Sequence, residues 1–207
     1  MPPEFVFLDL GQVLVSFDRD RAITQATAAS GGDPAAVANV LLDLHLHDAV
    51  ERGALDWAGF HAEFCRRTGT APEAAALAHA VSDMFSLKVD MLPLIARLTR
   101  LRCGLGILSN TCGPHWEHLT RVAGYGVLTS GFDTIVLSHE VGCRKPEPEI
   151  FATAARMAGV APGRIFFTDD IEEHVVAARS VGWDAEVFTS AGALAEALTL
   201  RGLPCDL

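Results

Sequence analysis

The sequence lacks the basic surplus that nucleic-acid binding needs: 16 Lys and Arg stand against 26 Asp and Glu, a formal net charge of -10. Phosphate backbones and anionic membrane surfaces are held by clustered cations, so neither is an expected partner. A recognisable signal peptide is missing as well. MPPEFVFLDLGQVLV has no basic region and no small-residue cleavage site, and Asp9 interrupts its apolar run. No stretch approaches the ~18–20 uninterrupted apolar residues of a membrane span. The five cysteines (Cys65, Cys103, Cys112, Cys143, Cys205) are odd in number, scattered and without a CxxC pair, which reads as reduced thiols. There are no internal repeats and no low-complexity tract. The expectation these absences leave is a cytoplasmic globular protein, long enough at 207 residues for one α/β domain with a sizeable insert or for two small domains.

Half of the residues are apolar, and from about residue 90 onward apolar runs alternate with helical patterns. That is the signature of a parallel sheet with helices on both faces. Strands are predicted at 5–8, 105–108, 134–137, 165–168 and 185–188, and helices at 92–101, 114–123, 148–158, 171–181 and 191–201. Residues 16–89 read differently. Asp18, Asp33-Pro34, Asp56 and Pro72 each mark a helix start, and no strand pattern interrupts them. The expectation is a four-helix insert, 16–89, within an α/β core made of 1–15 and 90–207.

Ligands of open parallel sheets bind beyond the carboxyl ends of the strands. Here the first strand ends in Asp9, the second in Ser109-Asn110-Thr111 and the fourth in Asp169-Asp170, while Arg144-Lys145 follows the third. A single Asp after a strand is more often a helix cap. Four polar clusters at one edge are not easily explained that way. Asp9 with Asp169 and Asp170 would supply the hard oxygen ligands that suit Mg²⁺, and carboxylates so placed would repel one another without a cation. Ser109, backbone N–H groups and Lys145 could then hold phosphate oxygens, with Asp9 as covalent nucleophile.

Four segments, FVFLDLGQVLV, LGILSNT, the lysine of GCRKPEPEIF, and FFTDDIEEHVVAARSVGW, resemble in order and spacing the motifs of the haloacid dehalogenase superfamily. The resemblance spans nearly the whole chain. Asp-Leu-Gly, SNT, RKPEPEIF and the ERG at 51–53 followed by Phe60 look most like the subgroup containing bacterial α-D-glucose-1-phosphate phosphatase. It implies a Rossmann-like fold with a helical cap and a Mg²⁺-dependent phosphatase acting on a small phosphorylated metabolite, a sugar phosphate among the candidates. It further implies Asp9 as nucleophile and metal ligand, Ser109 and Asn110 at the phosphate, and Lys145 neutralising both. Asp170, with Asp169 beside it, and the Gly11 carbonyl would hold the metal.

Two positions depart from the pattern. Phosphatases of this superfamily usually place an acid/base aspartate two residues after the nucleophile. Here that residue is Gly11, and losing such a group typically costs ~10²–10⁴ in rate. Where the family usually has Asp or Asn the chain has His174, whose imidazole is expected to donate to Asp170 from behind the metal site, or else to sit idle at the rim. His45 and His47 lie two apart on a helix and so diverge, which disfavours a shared metal. His47, Trp116, His115 and Arg19 remain candidate substrate contacts, each set against ordinary packing or solvation. A metal-free haloacid dehalogenase using Asp9, which would need no leaving-group proton, is the main alternative reading. A non-catalytic binding protein is the other.

Overall fold

Along the chain come β1 (Phe5–Leu8), β2 (Val15–Phe17), α1 (Arg19–Ser30), α2 (Pro34–Leu41), α3 (Leu44–Glu51), α4 (Trp57–Thr68), α5 (Ala74–Ser82) and β3 (Phe85–Leu87). There follow α6 (Leu92–Leu98), β4 (Gly104–Ser109), α7 (Gly113–Glu117) and its continuing π-helical turn His118–Val122, then α8 (Val127–Ser130), β5 (Thr134–Leu137) and α9 (Ser138–Val141). The chain ends with α10 (Pro148–Ala158), β6 (Ile165–Asp169), α11 (Glu172–Ser180), β7 (Asp184–Val187) and α12 (Ala191–Leu200). The computed structural model describes residues 1–205.

Alternation fixes the centre of the sheet. In β1, Phe5 and Phe7 join the core on one face, Val6 and Leu8 the core on the other, and all four are buried. A strand covered on both faces belongs inside a parallel sheet. The order is β5-β4-β1-β6-β7, every pairing parallel. Leu8 is level with Ile107 of β4 and with Thr168 of β6, so the carboxyl ends of the three central strands open on one edge. The chain leaves β1 for β4 on one side and later reaches β6 on the other, and the crevice between them is the switch point where such sheets bind ligands. Fully burying a side chain the size of Phe7 stabilises by about 2–3 kcal/mol, so the edge is carried on a firm base.

Helices α1–α5 have an apolar core of their own, built on Ala26, Val37, Val40, Phe60, Phe64, Leu77 and Val81. Two sequence expectations need correcting here. There are five helices, not four, because the Asp43 carboxylate accepts from the main-chain N–H groups of His45 and Leu46 and starts a new helix at Leu44. Nor is the segment free of strand: β3 pairs antiparallel with β2, Val15 opposite Leu87 and Phe17 opposite Phe85. This ribbon is where the chain leaves the sheet for the helices and returns.

Candidate active site

Lys145 organises the edge. It is 1 % exposed, and its Nζ donates to Asp9 Oδ1 at 2.6 Å, to Asp169 Oδ2 at 2.5 Å and to the Leu108 carbonyl at 2.9 Å. An ammonium has three protons, so each is taken. Asn110 secures the main chain of this residue. Its amide donates to the Lys145 carbonyl (2.9 Å) and its side-chain oxygen accepts from the Lys145 N–H (2.8 Å). Both polar ends of the side chain are thus engaged with Lys145, and one amide proton is left over toward the phosphate site proposed for it. Ser109 is buried beside it, its hydroxyl only loosely directed to the Asn110 carbonyl (3.4 Å).

On the other flank, Asp169 ends β6 fully buried. It accepts from Lys145, from the Ile171 N–H (2.9 Å) and from His174 Nδ1 (3.0 and 3.1 Å to its two oxygens). His174 therefore bonds Asp169 and not Asp170, which corrects the expected partner. The alternation of β6 turns Asp169 inward, and Asp170, one residue on, points to the exposed edge. One oxygen each of Asp9, Asp169 and Asp170 lie within 4.8 Å of one another.

Three carboxylates share one ammonium, and their proton affinities register the imbalance. Burial, followed by the charge of Asp169, pushes Asp9 up to about 7 against the opposing pull of Lys145. Burial also acts to raise Asp169, but the charge of Lys145 and the bond from His174 outweigh it and hold that carboxyl down at about 2. Asp170 is raised by burial and by Asp169. Lys145 loses hydration, yet the two carboxylates raise its affinity for its proton. A dication between Asp9 and Asp170 would cancel the excess negative charge, and the donor set of carboxylate oxygens is of the hard type Mg²⁺ takes.

The sequence candidates separate. Asp9, Lys145, Asp169 and Asp170 converge. Arg19 lines an open recess of about 660 Å³ together with Gln12, Phe17, Asp18, Asp20 and Asp170, its guanidinium carbon 5.4 Å from the centre of the Phe17 ring. His47 and Trp116 do not line this recess. The ring of His47 bonds the Leu41 carbonyl of its own helical segment, and Trp116 packs on the main core. His115 sits edge-on to Phe85, and burial pushes its imidazole down to about 3, so it is neutral packing. Cys112 is buried and its thiol pushed up to about 12, an inert bystander.

Two features went unread in the sequence. Lys88, after β3, donates to the Gln12 carbonyl at 2.9 Å; its one outward mark is that Lys88 and Lys145 are the two lysines of the chain. The other is an ion network from α3 to the Lys145 loop. Arg144 reaches Asp48 (2.9 Å) and Glu51 (3.2 Å), Arg52 bonds Asp48 (2.9 Å), and Arg52 also pairs with Glu147. Gly53, next in line, has φ 67° and lies so close to the His139 carbonyl that any Cβ would collide with it. The ERG of the sequence is thus the docking edge of the helical segment.

Comparison with known proteins agrees with this geometry. Residues 6–182 match the family model of the haloacid dehalogenase-like hydrolases. A glyceraldehyde 3-phosphate phosphatase of Methanopyrus kandleri is 32% identical over 113 residues, which is 51% of this chain and 47% of that protein, so the chain spans about half the length of this relative. A haloacid dehalogenase family enzyme of Bacteroides thetaiotaomicron, solved with magnesium and inorganic phosphate, superposes with a TM-score of 0.77 at 25% identity, over 91% of this chain and 95% of its own. The L-2-haloacid dehalogenase of Xanthobacter autotrophicus, with chloropropionic acid covalently bound, shares the fold at a TM-score of 0.65 and 21% identity, over 98% and 84%.

Proposed function

The chain belongs to the haloacid dehalogenase-like hydrolase family, and we propose that within it this protein is a Mg²⁺-dependent phosphatase of a small phosphorylated metabolite, a sugar phosphate being the favoured class. Residues 1–15 and 90–207 would be the α/β core domain and 16–89 the cap domain. The observation that carries the proposal is the acidic trio, Asp9, Asp169 and Asp170, around a single buried ammonium. A dehalogenase displacing halide from carbon needs no metal, and three carboxylates would there have only the Lys145 ammonium to offset their repulsion. The magnesium and phosphate bound to the Bacteroides enzyme, and the phosphatase named for the Methanopyrus protein, support the same side.

In this reading Asp9, Asp170 and the Gly11 carbonyl would hold Mg²⁺, which would supply charge stabilisation to the transferring phosphoryl group. The Lys145 bond to Asp9 Oδ1 leaves Oδ2 to attack phosphorus in line, the P–O bond to the leaving group breaks, and an aspartyl-phosphate forms on Asp9. Water then hydrolyses that acyl phosphate and returns the carboxylate. Ser109 and main-chain N–H groups of the β4 end receive phosphate oxygens. Lys145, fully bonded, acts by orienting and neutralising the nucleophile, with Asn110, Asp169 and His174 holding it in place. Arg19, beside Asp170 at the recess, is the candidate to meet the leaving group.

A screen of phosphorylated metabolites with and without Mg²⁺ tests the proposal. Asp9→Asn should abolish turnover while the protein remains folded, Asp170→Asn should raise the Mg²⁺ requirement severely, and beryllium fluoride should bind wild type only with Mg²⁺. Full phosphatase activity in Asp9→Asn would end the covalent reading, and full activity in excess chelator would turn it toward the dehalogenase.

A further inference from the structure

The proposed chemistry uses one of the chain's two lysines; the position of the other points to a second role. Lys88 stands where the chain returns from β3 toward the sheet, and it grips the turn that follows Asp9 in two places. Its main-chain N–H donates to the Leu14 carbonyl (2.9 Å) and its Nζ to the Gln12 carbonyl (2.9 Å). The ammonium also rests 4.8 Å from the centre of the Phe188 ring and makes no ion pair among the described residues. A half-buried cation whose partners are a carbonyl and a ring face is bound to both by its charge.

The gripped turn needs an external hold. Gln12 has φ 54°, in the left-handed region that a residue with a Cβ enters reluctantly. Its N–H turns back to the Val15 carbonyl (2.6 Å), and the Leu10 carbonyl receives the N–H groups of both Leu14 and Val15 (2.9 Å each). The direction of the Gly11 carbonyl is set by the same peptide units. Because Lys88 directly follows β3 and Gln12 precedes β2, the bond also ties this turn to the β2–β3 ribbon at which the helices join the sheet.

We propose that Lys88 is a positioning residue: its bond to the Gln12 carbonyl holds the turn after the nucleophile in the setting that lets Asp9, the Gly11 carbonyl and Asp170 take a divalent cation together. This rests on the metal reading given above. The test is Mg²⁺ binding by calorimetry to the full chain without substrate, in wild type, Lys88→Met, Lys88→Gln and Lys88→Arg. Met keeps the apolar stem and loses the donor, Gln keeps a shorter neutral donor, and Arg keeps a charged one. Expected is a Kd for Mg²⁺ raised about tenfold in Met, less in Gln and near wild type in Arg, with the thermal midpoint in EDTA little changed across the folded variants. Should the Met variant fail to fold, the Gln and Arg pair makes the same comparison. Folded neutral variants that bind Mg²⁺ as tightly as wild type would overturn the proposal, as would an Arg variant as weak as the neutral ones. A wild type that binds no Mg²⁺ would instead refute the metal reading itself.

Discussion

Gly11→Asp is the substitution by which the proposed chemistry is most exposed to refutation. Gly11 does not use the left-handed region, so an L side chain suits its backbone. A Cβ there would lie 3.3 Å from Phe17 Cε1 and 3.8 Å from Asp9 Oδ2. The ring must yield by a few tenths of an ångström, and as a half-buried side chain on the recess wall it has room to do so. The added carboxylate then sits beside the nucleophile, at the place from which a leaving oxygen is protonated. A positioned acid/base contributes about 10²–10⁴ in rate, but only for leaving groups basic enough to need the proton. Wild type should therefore favour an activated aryl phosphate or a sugar 1-phosphate over a primary alkyl phosphate of similar size, and Gly11→Asp should shrink that preference at least tenfold. A cost accompanies the gain. Two like charges about 5 Å apart at an effective dielectric near 20 repel by about 3 kcal/mol, so the variant should melt earlier in EDTA and recover in Mg²⁺. The assay is kcat/KM for the three ester classes in excess Mg²⁺, beside thermal melts with and without the metal. If wild type hydrolyses all three esters alike, or if a folded, Mg²⁺-binding variant keeps the wild-type ratio, Gly11 is not the missing acid and another group supplies the proton.

Two further expectations follow from the charges. In EDTA, Asp9→Asn should gain stability over wild type as pH rises from about 4 to 7 and then level. Asp9 holds its proton up to about 7 when folded but only to its ordinary value, near 3.9, when unfolded, so the wild-type fold binds more protons in that window and loses stability across it, by an amount on the order of a few kcal/mol. Taking the difference between the two proteins removes the opposite slope of His115 and His118, whose folded values are depressed; a flat difference would contradict the raised Asp9. At the docking edge, Arg144→Ala should leave Asp48 and Glu51 without their cross-partner and speed proteolytic nicking of residues 42–56. Partly exposed pairs contribute about 0.2–1 kcal/mol each, and near 1 M salt, where the Debye length is about 3 Å, wild type and variant should converge. Equal nicking at low salt would mean the network does not hold the helices down.

The sheet was legible because its signals are local. Each strand is a short apolar run closed by a polar residue, and in every case the expected and observed bounds agree to within a residue. Asp9, Lys145, Asp169 and Asp170 could be placed together for the same reason, since strand ends in a parallel sheet share an edge. What escaped depends on partners distant in sequence. Val15–Phe17 and Phe85–Leu87 are three residues each, too short for alternation to speak, and they become strands only by pairing across some seventy positions. The break between α2 and α3 lies inside Leu41-Leu42-Asp43-Leu44, where apolar periodicity runs on and a single capping carboxylate ends it. Which of two adjacent aspartates His174 would meet turned on the last residue of β6. Nor can the order Ser-Asn-Thr reveal that a loop thirty-five residues later returns to meet the Asn110 amide.

The charge count at the edge also bears on how an acidic protein takes an anionic substrate. Of the cations near Asp9, Lys145 has all three protons bonded within the protein. Arg144 and Arg52 are paired with Asp48, Glu51 and Glu147. The recess wall sets Arg19 against Asp18, Asp20 and Asp170. On the residues alone, a phosphate approaching Asp9 therefore meets net negative charge in a molecule whose total is already -10. Lys145 makes the edge possible without making it attractive: it keeps Asp9 and Asp169 buried and close, and removing it would leave Asp9 without its cation and Asp169 with only His174 and a main-chain N–H, a loss of about 3–5 kcal/mol. On the proposed reading the attraction comes from a cation bound at the trio, so metal would precede phosphate. Because coupling between two ligands is reciprocal, phosphate in turn would tighten the metal.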